Sequence, residues 1–321
     1  MKKYIFILLS AVFLSSCSVD EMQQPAESIP VSLSSALSMG QGSVSNLTRT
    51  ISQTVQTGSA LTTGASAGVY IYSNGKNGIV DGYGYSNYKY TVTAAASGNG
   101  LSLDQAVSGQ SQPYYRADNR PIDIYVYTPY IPNAETNNAI EVLQNQSSET
   151  NYIASDYIFG SLLSKTASFS SQNVAMRHLL SKVNVNLIPG NGFTASDLKG
   201  ATITLKNIKR SGTLTLPSGT VTLNTAADVS DVIMGTTESS DVLTASAIII
   251  PQTLTNGTEF IEITLSNGST KYAYALDENK TFKGNTVDTY NITVTSAGLS
   301  ISNTVQGWTA GSTKDGIAEL E

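Results

Sequence analysis

Few side chains in this sequence carry chemistry, and their positions limit which kinds are available. The 321 residues include one cysteine, Cys17, and one histidine, His178. A Ser-His-Asp triad, a Cys-His pair or a multi-histidine metal site would have to pass through His178. Neither a nucleophile elbow nor a ligand spacing lies near it, and a structural histidine is the expectation. The Asp and Glu residues are scattered singly, giving no pair that can be assigned as acid and base. The sequence therefore points away from an enzyme and implies no metal and no cofactor. Two residues remain as targets for chemistry done to the chain: the lone thiol of Cys17, and Arg49, which is either one early target for an arginine-specific protease or simply a solvated arginine in a loop. Arg49 is the first basic residue after Lys3, the next is Lys76, and Arg49 itself lies in a long run of Gly, Ser, Thr, Gln and Asn from Gly40 to Gly68. A loop so poor in apolar residues is where a protease finds accessible backbone.

The elements around Cys17 suit that chemistry. Lys2 and Lys3 precede an apolar run from Tyr4 to Leu14, closed by Ser15-Ser16-Cys17, which is the charge, hydrophobe and small-residue order of an export signal. The run is too short to span a bilayer as a stable helix. Leu14-Ser15-Ser16-Cys17 resembles a bacterial lipoprotein lipobox, in which the thiol is acylated and becomes the first mature residue. With no second cysteine an internal disulfide is impossible. Asp20 and Glu21, just past the thiol, resemble the signal that sends some lipoproteins to the outer surface, and the stretch to Pro25 reads as a tether.

Composition agrees with export. Charged residues make up 13% of the chain, about half the usual share. Abundant Thr, Tyr, Val and Ile favour strands, and Gly and Asn supply turns. Removing Lys2 and Lys3 takes the formal charge from −6 to −8, so no nucleic-acid partner is implied.

The fold expected is all-β. Val31, Leu33, Leu37 and Met39 fall on alternate positions among serines and predict a strand with one buried face. Val69 to Tyr72 is the first strand of the body, followed by an aromatic alternation at Tyr83, Tyr85, Tyr88 and Tyr90. Residues Ile122 to Tyr127 put three aliphatics on one face and Asp123, Tyr125 and Tyr127 on the other. The tyrosines suit cross-strand packing, with stacking on sugars as the alternative. A short helix is expected around Ile140 to Leu143, one helical turn within His178 to Lys182, and a long loop between Leu223 and Ser240. The second half reads as strands at Ala201–Ile208, Thr213–Leu216, Val242–Ile250, Glu259–Leu265, Thr270–Leu276, Asp288–Thr295 and Leu299–Val305, separated by turn signals such as Asn256-Gly257. Strands at such short intervals are the pattern of a β-sandwich.

Taken in order, the lipobox, Thr48-Arg49 ahead of Gly68-Val69-Tyr70-Ile71-Tyr72, the stretch Arg177 to Leu187, Ile248-Ile249-Ile250-Pro251-Gln252, Phe282-Lys283-Gly284-Asn285, Tyr290 to Val294 and the late Trp308 resemble the fimbrillins, subunits of protease-assembled type V fimbriae. The resemblance implies two transthyretin-like β-sandwich domains in tandem, residues 50–180 and 181–321, behind a signal peptide (1–17) and a tether with a removable strand (18–49). It implies an outer-membrane lipoprotein precursor cut between Arg49 and Thr50 by an arginine-specific protease. Val31, Leu33, Leu37 and Met39 would then be a temporary plug, and the vacated groove would take a strand from the next copy or a related fimbrial subunit. Donor candidates are Leu299, Ile301 and Val305 and the tail through Trp308, Ile317 and Leu320. The product would be an extracellular fimbrium that supports adhesion. The competing expectation is a lipid-anchored surface protein that binds glycan or host protein through tyrosines such as Tyr83, Tyr85, Tyr114 and Tyr115, or a fimbrial tip or anchor subunit.

Overall fold

The computed structural model describes residues 29–37, 61–95, 98–238, 242–307 and 313–318. Cys17, Met39, Arg49, Thr50, Trp308 and Leu320 lie outside them. The described chain is almost entirely strand. Its first half holds β1 (Leu33–Leu37), β2 (Ser66–Ser73), β3 (Tyr85–Ala95), β4 (Gly98–Leu103), β5 (Ile122–Thr128), β6 (Asn137–Glu141), helix α1 (Glu149–Ala154), β7 (Ile158–Lys165) and β8 (Gln172–His178). The second half holds β9 (Ser181–Pro189), the short α2 (Ala195–Leu198), β10 (Thr202–Lys209), β11 (Ser211–Thr215), β12 (Thr220–Leu223), β13 (Val229–Ile233), β14 (Gly235–Glu238), β15 (Leu243–Ile249) and β16 (Gln252–Leu254). It ends with β17 (Glu259–Thr264), β18 (Lys271–Ala275), β19 (Lys280–Phe282), β20 (Thr286–Thr295), β21 (Gly298–Gly307) and β22 (Thr313–Ala318).

In the first half the hydrogen bonds close a barrel in the order β1-β4-β3-β2-β5-β7-β8. Its interior is filled by the inward residues of each strand, among them Val69, Ile71, Ile122, Ile124, Val126, Val174 and Met176. Strand β5 is buried on both faces. Its aliphatics point into the barrel, while Tyr127 packs outward among Tyr70, Tyr72 and Phe159. Gly68 is needed beside it, because a Cβ there would lie 2.0 Å from the Tyr127 ring. The buried carboxylate of Asp123 accepts hydrogen bonds from Asn74 Nδ2, Gly75 N and Ser164 N and so pins the loop after β2 to the end of β7.

The second half packs a six-stranded sheet, β14-β15-β9-β20-β21-β22, against a four-stranded one, β13-β10-β17-β18, around a single core. Phe260 sits at its centre against Phe282 and Tyr290, with ring centroids 5.1 and 5.4 Å away. A third apolar cluster joins the halves, with Tyr70, Tyr127 and Phe159 from one side and Ile248 and Ile250 from the other. Strand β6 crosses over to pair with β11. Gln146 acts as a strand fragment there, exchanging two 2.8 Å hydrogen bonds with the backbone of Ile248.

Three local expectations are corrected. Ile140 to Leu143 is no helix: Asn138 and Ile140 alternate with exposed neighbours in β6, and pairing with β11 outweighs local propensity. The helix falls instead at Glu149–Ala154, where Ser148 caps the first turn by accepting from Asn151 N. The stretch from Leu223 to Ser240 contains β13 and β14, whose Val232 lies in the second core with the neighbouring Met234. His178 to Lys182 is a tight bend at buried Leu179-Leu180 between β8 and β9, not a helical turn.

Candidate functional site

The site of interest is the place of β1 in the barrel. The segment Val31-Ser32-Leu33-Ser34-Ser35-Ala36-Leu37 alternates as a strand should, and Val31, Leu33, Ser35 and Leu37 are all buried. β1 runs antiparallel to β4, with Leu33 opposite Leu101 and Ser35 opposite Asn99. On its other side it runs parallel to β8, from Leu33 opposite Gln172 to Leu37 opposite Met176. Nothing else lies between β4 and β8 in the sheet order. Each of the three aliphatics contributes about 1.5–3 kcal/mol by burial, so β1 is part of the core rather than a decoration on it.

Two features set β1 apart in that barrel. Its pairing with β8 is parallel, whereas the other strand pairs of the barrel are antiparallel. The polar pair at its middle is also poorly matched: Ser35 Oγ and Asn99 Oδ1 are both buried without a hydrogen-bond partner, which costs about 1–3 kcal/mol for each such group. Asn99 Nδ2 reaches Thr63 Oγ1 and the Thr93 carbonyl at 3.5 and 3.4 Å.

At its N-terminal end β1 is clipped to the loop between β4 and β5. Val31 N donates to the Pro113 carbonyl and Tyr115 N to that of Ile29. That loop is held in turn by tyrosines. Tyr83 donates its hydroxyl proton to the Tyr114 carbonyl, and the Tyr85 hydroxyl accepts from Tyr114 N. The spacing of these tyrosines departs from strict alternation for a physical reason: a bulge at Asn87, with φ of +51°, shifts the β2–β3 register between Val69 and Ile71. Tyr83, Tyr85 and Tyr88 then meet edge to face. Beside them an open cleft of about 480 Å³ is lined by Tyr83, Tyr85, Tyr114, Tyr115, Arg116 and Asp118. Hydrogen bonds from Arg116 and Arg120 hold the Asp118 carboxyl well below the usual range, and burial pushes the Tyr83 hydroxyl up.

The proposed donor residues are placed as follows. Leu299 and Ile301 are buried in the chain's own second core, on β21 beside β20. Val305 falls on the same strand opposite Asp288, and Ile317 on β22 opposite Ser300. His178 is buried, its Nδ1 2.9 Å from Asp156 Oδ1. Nearby Lys182 is also buried, with its ammonium 5.8 Å from the centre of the Tyr152 ring. Burial pushes its pKa down to about 8, with Asp156 acting in the opposite sense. The buried Lys182 and the polar Ser35–Asn99 pair were not picked out by sequence reasoning; three-dimensional neighbours alone define them. Among the described residues no group of three or more His, Cys, Asp or Glu is placed to hold a metal.

Fold and groove define an all-β chain whose first barrel is completed by a strand from its own N-terminal region, behind a match to the prokaryotic membrane lipoprotein lipid attachment site at residues 1–18. The chain belongs to the fimbrillin-like family, whose profile matches residues 48–308. It is 26% identical to a protein of Bacteroides uniformis named as a candidate fimbrium subunit, Fim1C, over 97% of both chains. Two crystal structures share the fold. A candidate cell adhesion protein from Bacteroides ovatus superposes with TM-score 0.67 at 17% identity, covering 91% of this chain and 99% of that one. Another from Bacteroides uniformis gives TM-score 0.65 at 19% identity, covering 89% and 100%. Family and lipid attachment signal together support a place at the cell surface.

Proposed function

We propose that this protein is a structural, non-enzymatic subunit of a surface fimbrium, exported as an outer-membrane lipoprotein on Cys17 and activated by an arginine-specific protease that cuts between Arg49 and Thr50. Loss of residues 18–49 removes β1, and the groove between β4 and β8 accepts a C-terminal strand from another copy or a related fimbrial subunit. Backbone pairing then supplies continuity along the fibre, and alternate side chains fill the pockets. In this reading the two cores are the centres of two transthyretin-like domains, 50–180 and 181–321, and the finished fibre is extracellular and supports adhesion.

The observation that carries the reading is the position of β1: a strand N-terminal to Arg49 fills the gap between β4 and β8 and buries Val31, Leu33 and Leu37. Covering such an edge before assembly prevents indiscriminate pairing. The test is to treat residues 18–321, made without lipid, with an arginine-specific protease. A new N-terminus at Thr50 together with heat-sensitive oligomers, both absent from Arg49→Ala, is the expected result. Clean cleavage to a product that stays monomeric points to a tip or anchor subunit, and resistance at Arg49 overturns the mechanism.

The tyrosine-lined cleft favours a second reading, a lipid-anchored surface protein that binds glycan. It predicts that Cys17 is retained and that Tyr114→Ala abolishes glycan affinity.

A further inference from the structure

The tyrosine-lined cleft is formed by segments that are each fixed by their own bonds. In the loop after β2, Val80 and Tyr83 exchange two backbone hydrogen bonds of 3.0 Å, closing a two-residue turn with Asp81 at φ of +54° and Gly82 at +72°. Positive φ at both central residues is the conformation a tight hairpin requires. The turn holds Asp81 at the cleft with its side chain 65% exposed. The loop before β5 supplies Tyr114. The Tyr83 and Tyr85 hydroxyls are both tied to the Tyr114 backbone, so what these two rings offer the cleft is aromatic surface. The Tyr114 ring itself is 37% exposed. Pro30 bridges to Tyr114, and Tyr115 N donates to the Ile29 carbonyl, so this wall is fully braced in the uncut chain.

The charges at the cleft answer one another. Arg116 donates from Nε and Nη2 to the two oxygens of Asp118, at 2.8 and 2.5 Å, and from Nη1 to Ser73 Oγ at 2.6 Å. Its guanidinium carbon lies 5.0 Å from the centre of the Tyr83 ring. Arg120 donates to the same carboxylate from its backbone N and from Nε. Two guanidiniums thus face two carboxylates, Asp81 and Asp118. An anionic ligand would have to displace Asp118 from a fork it already fills, and a cationic one would meet the guanidiniums as well as the carboxylates. Asp118 accepts four hydrogen bonds, the capacity of a carboxylate. Asp81 meets Arg120 only at 3.8 Å, beyond hydrogen-bond range, and can accept from a ligand.

Aromatic surface, one carboxylate with acceptor capacity to spare and balanced charge suit a neutral sugar, whose ring has an apolar C–H face and a rim of hydroxyl donors. Resting on the glycan-binding reading of this cleft given above, we propose that it binds one uncharged pyranose residue of a glycan, with the C–H face stacked on Tyr114 and hydroxyls donating to Asp81. Tyr83 and Tyr85 complete the apolar lining, and the Arg116–Asp118 pair keeps the wall rigid without touching the sugar. The site makes no use of the lipid, so a fimbrial subunit and a lipid-anchored protein can carry it alike.

The test is saturation-transfer NMR on uncut residues 18–321 with the methyl glycosides of mannose, galactose, fucose and N-acetylglucosamine, set against N-acetylneuraminic acid, glucuronic acid and glucosamine. At least one neutral glycoside is expected to bind, and Tyr114→Phe, which keeps the ring, to retain it. Tyr114→Ala abolishes the signal, and Asp81→Asn, which suits the same turn but accepts less strongly, weakens binding about tenfold. Both side chains are exposed, so neither change is expected to unfold the chain. A charged sugar that binds as tightly as the best neutral one, and is lost in Tyr114→Ala, overturns the proposal and leaves the glycan reading standing. If no sugar of either set binds, or if binding survives Tyr114→Ala, both fall. Loss in Tyr114→Phe as well overturns the stacking, and unchanged affinity in Asp81→Asn overturns the role given to that carboxylate.

Discussion

The two cores of this molecule are built from the same materials and closed in different ways. In the second, the central strand of the larger sheet is held by long ladders: β20 pairs along its length with β9 on one side and β21 on the other. In the first, the last gap is filled by a strand of five residues from a distant part of the chain, and that strand brings a serine hydroxyl to face an unpartnered amide oxygen. Under the strand exchange proposed above, β1 is the strand to leave, because a strand paired over five residues with β8 gives up fewer ladder hydrogen bonds than one paired over ten, as β20 is with β21. The difference lies in pairing length, since unpartnered buried polar atoms occur in both cores, at Ser35 and Asn99 in the first and at Tyr290 in the second.

The largest effect that would sharpen this contrast is in the second core. Phe260→Ala removes a fully buried ring from between Phe282 and Tyr290 and is expected to cost about 3–5 kcal/mol, measured by urea unfolding. The loss should be the same before and after protease treatment, with the rate of oligomer growth unchanged. Leu33→Ala is expected to cost about 2–5 kcal/mol in the uncut chain, and after cleavage it should shorten the lag before oligomers appear, because the plug leaves more readily. If Leu33→Ala leaves the lag as it was while Phe260→Ala lengthens it, the assignment of exchange to the first core is broken.

Much of this was legible from the sequence because strand period is a local signal. The alternation at Val31, Leu33 and Leu37 predicts a buried face that the barrel interior provides, and the seven strands expected between Ala201 and Val305 lie within a residue or two of their limits, while the short β12, β16 and β19 carry too few residues to show a period. What escaped was set by partners far off in the chain. The helix expected around Ile140 to Leu143 gives way to β6, whose buried alternate positions include a polar residue, Asn138, with its amide satisfied by the Leu214 carbonyl across the sheet. β13 and β14 were hidden by the Asp, Ser and Thr on their solvent faces. The four tyrosines near residue 85 were seen, but the bulge at Asn87 that brings Tyr85 and Tyr88 together was not. That β1 lies parallel to β8 has no local signature at all.

Between the two cores lies the buried Lys182, and it offers a pH probe of the layer joining them. An unfolded lysine keeps its proton to about pH 10.5, while the folded one loses it near 8. Between those values the unfolded chain binds more protons, so stability rises with pH, by on the order of 2–3 kcal/mol. Above pH 10 the buried tyrosines reverse the slope: Tyr70, pushed up to about 12 by burial, stays protonated in the folded chain while its unfolded counterpart ionises. Urea midpoints are expected to peak near pH 10, and Lys182→Met should flatten the rise without shifting the fall. A rise that survives Lys182→Met would place its source elsewhere.

The smallest effect tests the weakness attributed to the plug. Ser35 Oγ is buried with no partner, so removing it in Ser35→Ala deletes a desolvated hydroxyl and leaves only a small void, and the net change is expected to lie within about 0.5 kcal/mol of zero. Ser35→Asn should behave differently. It gives β1 an amide that satisfies Asn99 Oδ1 from within the same chain and so ties the strand more firmly into its groove. The uncut protein should then be slightly more stable and the cleaved protein slower to oligomerise, measured side by side with Ser35→Ala. If both variants oligomerise at the wild-type rate, the polar pair at the centre of the groove does not control exchange, and the contrast between the cores rests on pairing length alone.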